Sequence, residues 1–270
     1  MNDRARHGEL SLALDVVTLV GELSAAQEFY AKALDPSMTD RAGAIDVDMN
    51  GTGRFQLAPT SPGAAGPGAE TETSQFPGYV VTYALAQPVD VQAVMDAARR
   101  AGAEVLKPAK KALFGSFSGS FRAPDGSVWK VAADSDKNTG PAAAAPRPTE
   151  ISIILGVKDA KASRKFYQAL GMTTDRDYGS KYIDFHPSDG AVRLCLMPRT
   201  ALAKDVGIDN SGDGVSAMVL GHCAAGDDVD RLLTAAEFAG GRPVTPHGQT
   251  EQAGRSHFTD PDGVLWTLTS

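Results

Sequence analysis

GRSHFTDPDGVLWTL, residues 254–268, reads as two short alternating runs joined by a Pro-Asp-Gly turn. Asp-Gly between alternating apolar runs signals a hairpin, because Gly accepts the positive φ of a tight turn and Asp can bond its own backbone. Nearly the same unit stands at 115–131, GSFSGSFRAPDGSVWKV. The two fall into register with Phe121 on Phe258, Pro124 on Pro261 and Trp129 on Trp266. The same hairpin therefore closes each half of a duplicated chain.

Working outward, Phe29-Tyr30 answers Phe166-Tyr167, Ala33-Leu34 answers Ala169-Leu170, and VQAVMDAARRAGAEVLKP at 91–108 matches VDRLLTAAEFAGGRPVTP at 229–246. An internal repeat of this length sets the architecture before any single element does. Apolar spacing predicts a strand over 11–20, a helix over 23–34 with Ser24 and Gln27 as a capping box, and strands at 44–49 and 54–58 around Asn50-Gly51. A loop follows at 59–77, then a strand at 79–85, a helix over 89–101 stopped by Gly102, and further strands to Ala132. The second half repeats the order: a strand at 151–157, a helix over 160–170 capped by Asp159, and strands near 181–185 and 192–197. A loop at 198–214, a strand at 215–223 and a helix over 228–239 capped by Asp227 or Asp228 lead into the closing hairpin. Residues 134–148, DSDKNTGPAAAAPRP, carry no apolar period and read as a linker, dividing the chain into 1–133 and 149–270.

At 270 residues, 42% hydrophobic and 22% charged, the chain can bury two cores. A formal net charge of −7 and scattered Lys and Arg argue against nucleic acid as a partner. No apolar window is long enough to span a membrane and the N-terminus has no leader pattern, so the expected address is cytoplasmic. Cys195 and Cys223 lie in apolar runs outside any metal-type spacing and read as buried thiols.

LGVKDAKASRKFYQALGM at 155–172, ALAKDVG at 201–207 and the two Pro-Asp-Gly hairpins, each with Trp three residues past the Gly, together resemble the glyoxalase, bleomycin-resistance and extradiol-dioxygenase superfamily, or vicinal oxygen chelate proteins. The resemblance implies an α+β fold of tandem paired βαβββ modules, two per half, each pair forming an open half-barrel sheet with helices outside. It also implies a divalent metal held from the first strand, the strand opening the second module and the final strand. Those positions fall on Asp15, Val81 and Lys130 in the first half, and on Ser152, Val219 and Thr267 in the second. Neither set suits a metal, since Lys130 offers a cation, the valines offer nothing and hydroxyls are poor ligands. No metal or other cofactor is expected.

On the same register Asp15 and Lys130 face each other in the first cavity, with Val17 and Val128 beside them, and form either an ion-pair site or two solvated charges. In the second half, alternation puts Arg255 and His257 opposite Phe258, either lining a cavity suited to a carboxylate, phenolate or enolate or standing on an exposed rim. Ser152 and Thr267 complete the expected ligand-binding set. Trp129, Trp266, Phe29 and Phe166 read as core anchors, Phe114, Phe117 and Tyr83 as weaker candidates for an aromatic wall, and His222 as structural. The functional expectation is a binder of a small, largely apolar organic molecule in one or both cavities, of sequestering or resistance type and, with its module pairs fused, compatible with a monomer. The alternative is a metal-free or atypical-metal lyase, isomerase or tailoring enzyme, with Asp15 and Lys130, or His257 and Arg255, as acid and base.

Overall fold

A computed structural model describes residues 10–60, 75–111, 116–188, 191–209, 218–224, 228–244 and 255–270. Module 1 runs β1 (Val16–Gly21), α1 (Leu23–Ala33), β2 (Ser37–Arg41), β3 (Ala44–Asp48) and β4 (Arg54–Pro59). Module 2 runs β5 (Tyr79–Leu85), α2 (Pro88–Arg100), β6 (Glu104–Lys111), β7 (Phe117–Arg122) and β8 (Val128–Ala133). Module 3 has β9 (Glu150–Val157), α3 (Ala160–Ala169), β10 (Thr174–Asp177), β11 (Ile183–Phe185) and β12 (Arg193–Pro198), followed by α4 (Arg199–Val206). Module 4 has β13 (Met218–Cys223), α5 (Asp228–Phe238), β14 (Arg242–Val244), β15 (Arg255–Thr259) and β16 (Leu265–Thr269).

The fold is α+β with two open eight-stranded sheets. Each half holds two modules as expected, but the sheets pair modules across the halves. Sheet A has the order β14-β15-β16-β13-β1-β4-β3-β2, so it joins modules 1 and 4. Sheet B has the order β10-β11-β12-β9-β5-β8-β7-β6 and joins modules 3 and 2. The seams are antiparallel ladders, Thr18 opposite Val219 in sheet A and Val81 opposite Ile153 in sheet B. Each sheet thus takes one module from each half of the chain.

What ties the modules within each half is the helix-to-hairpin contact that the repeated motif encodes. Tyr30 of α1, wholly buried, donates its hydroxyl to Asp125 at 2.7 Å in the module 2 turn and lies 2.9 Å from Ser127 Oγ, which accepts from Trp129 Nε1 at 2.8 Å. Tyr167 of α3 donates to Asp260 at 2.6 Å in the module 4 turn and packs on Trp266 with ring centroids 5.9 Å apart. Position 123, the counterpart of Asp260, is Ala, so Tyr30 takes the turn Asp itself while Asp262 is left to hold Ser163 Oγ and Lys158 N. The two tryptophans stack on Phe121 and Phe258 at interplanar angles of 4° and 2°. Phe55 of sheet A also meets Trp129 of sheet B at 5.9 Å, so the apolar faces of both sheets share one core with the helices.

Most elements lie within a few residues of their expected positions. Strands β2, β10 and β14 and helix α4 were not expected. α4 occupies the predicted loop after Pro198, with Leu202 and Val206 one turn apart and Gly207 at φ 86° as its stop. α1 is capped by the Glu22 carboxylate, which accepts from Ser24 N and Ala25 N, rather than by a Ser24–Gln27 box. Asp159 caps α3 as expected, accepting from Lys161 N and Ala162 N. Asp227, Phe114, His7, His247 and much of the 59–77 loop lie outside the described residues. Cys195 is buried, but Cys223 is exposed.

The 134–148 segment is irregular but strapped down. Gln87 Oε1 accepts from Thr139 N at 2.8 Å, Asp90 Oδ1 from Ala143 N at 2.9 Å, and Asn138 Oδ1 from Val89 N at 2.9 Å. A cut within 134–148 is therefore expected to leave fragments that co-elute as one species in gel filtration, because ladders β1–β13 and β5–β9 still join them. Separation into two compact halves would contradict the crossed pairing.

Burial pushes the Asp260 carboxyl up to about 6 from 3.8. The folded state then keeps a proton that the unfolded state has released, so stability from this group falls as pH rises from about 4 to 6 and is flat above. The expected amplitude is on the order of 2–3 kcal/mol. Asp260→Asn, which keeps an acceptor for the turn amides, should remove that slope in thermal melts and be at least as stable as wild type at pH 7.

Candidate functional site

Alternation gives each sheet one face in the shared core and one turned away from it. In sheet A the core face holds Val17, Leu19, Phe55, Leu57, Leu220 and Trp266. The outer face follows from the registers. One row crosses Asp46, Gln56, Thr18, Val219 and Leu265, and the next crosses Arg54, Val16, Gly221, Thr267 and His257. Apart from the buried Gly221 and the exposed Arg54 these residues are half-buried, an apolar floor of Val16, Val219 and Leu265 set with the polar groups of Thr18, Gln56, Thr267 and His257 and bounded by Asp46 and Arg54.

Thr267 Oγ1 lies 2.9 Å from His257 Nδ1, and Gln56 Nε2 donates to Asp46 Oδ1 at 3.0 Å. Burial, with the Arg255 charge adding to it, holds the His257 pKa below its ordinary value of 6.5, so the imidazole is neutral at pH 7. A neutral His paired to a hydroxyl can donate or accept one hydrogen bond toward a ligand. Arg255 is exposed at the end of β15, paired with Thr269 in the ladder.

The other expected site residues are distributed differently. Asp15 and Lys130 do not face each other, since they belong to different sheets. Asp15 stands in register with the core-facing Val17, one residue off the outer face. Its Oδ2 lies 2.7 Å from His222 Nδ1 and accepts from Cys223 N at 2.8 Å. Although burial works against the charge, those two bonds hold its carboxyl below 3.8. Lys130 pairs with Asp205 of α4 at 2.6 Å. Val17 is in the core rather than on a cavity wall, while Val128 and Ser152 lie on the outer face of sheet B with Lys130. Tyr83 is a core residue packed on Trp129 at 6.4 Å, its hydroxyl donating to Pro146 O, so it lines no cavity; Phe117 is half-buried on β7. Of the expected set, His257 and Thr267 meet side by side on sheet A, while Val128, Lys130 and Ser152 share the outer face of sheet B. Gln56 and Thr18 were missed, because nothing in the sequence says that β4 of module 1 neighbours β1, and β1 in turn β13.

The outer face of sheet B carries a polar group of its own at one edge. Asp184, with no solvent exposure, accepts from Arg176 Nε at 2.7 Å and from Tyr182 OH at 3.2 Å, and the same hydroxyl lies 3.1 Å from Cys195 Sγ. Burial pushes the Cys195 thiol up to about 12, which keeps it protonated and inert as a nucleophile.

A metal held as the fold family holds one would draw on outer-face positions of the four central strands. In sheet A these are Val16, Thr18, Arg54, Gln56, Val219, Gly221, Leu265 and Thr267. In sheet B they are Val80, Thr82, Val128, Lys130, Glu150, Ser152, Ile154, Arg193 and Cys195. The one carboxylate among these positions, Glu150, is paired with Arg193 at 2.9 Å, and no imidazole joins it, so neither set fits a divalent ion. Among the described residues no three His, Cys, Asp or Glu side chains gather as a metal would need.

Residues 151–268 match the family described as Glyoxalase/Bleomycin resistance protein/Dioxygenase superfamily. Glyoxalase I from Zea mays superposes with a TM-score of 0.59 at 16% identity, covering 96% of this chain and 92% of that one. A putative dioxygenase from Bacillus subtilis subsp. subtilis str. 168 gives 0.58 at 12% identity, with 97% and 86% covered. At these identities the likeness is one of fold. No curated protein matches the chain in sequence. Among the described residues no helix is long and apolar enough to cross a membrane.

The His257 resonances are expected to titrate with a midpoint below 6.5, and Arg255→Ala to move it upward by removing a neighbouring positive charge. A pH series of proton–nitrogen correlation spectra checks both.

Proposed function

We propose that this chain, whose residues 151–268 match the Glyoxalase/Bleomycin resistance protein/Dioxygenase superfamily, binds a small, largely apolar organic molecule on the outer face of sheet A without a metal. The observation that carries the reading is the donor set of that face. Val16, Val219 and Leu265 offer apolar contact, while Thr18, Gln56, Thr267 and neutral His257 offer hydrogen bonds, and none of these suits a cation. Polar groups placed sparsely on an apolar floor orient a ligand more than they bind it. A sequestering or resistance-type binder is the role in keeping with this chemistry.

Neutral His257 also supports a second reading, a metal-free lyase or isomerase in which the imidazole accepts a proton from the bound molecule. His257→Ala separates the two. A binder loses roughly tenfold in affinity, about 1.4 kcal/mol for one hydrogen bond. An enzyme keeps most of its binding and loses turnover.

Native mass spectrometry of the purified protein is expected to show a co-purifying organic molecule that Thr267→Val plus His257→Ala releases. Elemental analysis is expected to show metal well below one equivalent. Stoichiometric zinc, nickel, iron or manganese surviving dialysis would overturn the metal-free reading.

A further inference from the structure

The two outer faces are built from equivalent strands, yet one of them is filled from within the chain. Helix α4 lies against sheet B, where Leu202, Ala203 and Val206 have no solvent exposure and cluster with Val80, Val128, Ile154 and Cys195. Its end is held on three sides. Lys107 Nζ donates to the carbonyls of Lys204 and Asp205 at 2.7 Å each, Ser120 Oγ donates to Val206 O at 2.8 Å, and Lys130 Nζ donates to Asp205 Oδ2 at 2.6 Å. Its start is held by Arg199, whose guanidinium lies 5.3 Å from the Phe76 ring centre and donates to Phe76 O.

The covered face has two strips. Val128, Val80, Ile154 and Cys195 form an apolar row across β8, β5, β9 and β12. Beside it, Ser120, Lys130, Thr82 and Ser152 form a polar row across β7, β8, β5 and β9. The Thr82 hydroxyl is shielded from solvent and has no hydrogen-bond partner among the described residues, so the polar row is not fully used by the chain's own groups. α4 meets the apolar row with aliphatic side chains and Lys130 with a carboxylate. An amphiphilic organic anion would offer the same pair of contacts.

We propose that α4 is a built-in occupant of the sheet B face, standing in for an apolar molecule with one anionic group, so that the chain offers ligands only the sheet A face. This rests on the reading of sheet A as the binding face. A tethered occupant acts at a high effective concentration, on the order of millimolar, which a free ligand at micromolar levels does not displace.

The test is titration of the full chain with 1-anilinonaphthalene-8-sulfonate, an aromatic anion. Wild type is expected to bind no more than one equivalent. The triple variant Leu202→Ala, Val206→Ala, Asp205→Asn is expected to gain one further site, and adding Lys130→Met to weaken the gained site at least tenfold. His257→Ala should affect dye bound to wild type and leave the gained site alone, which separates failure of the sheet A reading from failure of this one. Two dye sites in wild type, no gained site in a triple variant that still melts cooperatively, or a gained site indifferent to Lys130→Met would each overturn the proposal. Should the variants not fold, hydrogen exchange on wild type decides. Amides at the end of α4 exchanging as slowly as those of β5 and β9 support a resident occupant, and exchange as fast as that of exposed turns overturns it.

Discussion

A tyrosine near the end of the first helix in each half reaches out of its own module to the turn of the next. Tyr30 bonds Asp125 and packs on Trp129, and Tyr167 bonds Asp260 and packs on Trp266. Each contact places a buried hydroxyl against a carboxylate in the turn, so burial is compensated by a bond that also fixes the angle between helix and hairpin. Because the helix belongs to one sheet and the hairpin to the other, these clamps hold sheets A and B face to face. The crossed ladders then close the molecule, module 1 on module 4 and module 2 on module 3. Breaking a clamp would loosen the core between the sheets rather than one half of the chain.

Crossed pairing makes the two sheets chemically unequal. The central strands of sheet B, β5 and β9, are buried on both faces, with Ile153, Ile154 and Leu155 consecutive in β9. A strand apolar on both sides needs cover on both. The core covers one face and α4 the other. In sheet A, β1 alternates buried and half-buried residues, the pattern of a strand covered on one side only. The same module template therefore yields one face filled by the chain and one face left with neutral hydrogen-bonding groups.

That difference also shapes the chemistry. Lys130 and Asp205 neutralise each other under α4, and Cys195 is held protonated, so the titratable groups of sheet B are committed to structure. On sheet A the imidazole of His257 is neutral, paired with the Thr267 hydroxyl, and the charged groups Asp46, Arg54 and Arg255 stand at the margins of the apolar floor. An apolar floor with a few neutral hydrogen-bonding groups favours an apolar body with one or two polar atoms over a multiply charged substrate.

The sequence by itself determined the duplicated strand–helix–strands order, the two hairpins, the helix stop at Gly102, and the role of Trp129 and Trp266 as core anchors. Period, turn chemistry and internal repetition are local signals, and they survive whatever the modules pair with. It also held the sign of α4, in the Leu202–Val206 spacing before Gly207, and of its partner face, in the consecutive Ile153-Ile154-Leu155 of β9. Tertiary structure alone decided which module lies beside which. β1 forms its antiparallel seam with β13, and β5 with β9, while the clamps within each half set the two sheets face to face. Once that choice is made, a one-residue step along β1 turns Asp15 toward His222 and brings Thr18 onto the outer face, because in a strand each step reverses the side. The expected meeting of Asp15 with Lys130 therefore failed for a physical reason: site residues on a sheet are neighbours by register, and register between distant strands is written in the packing of the whole molecule.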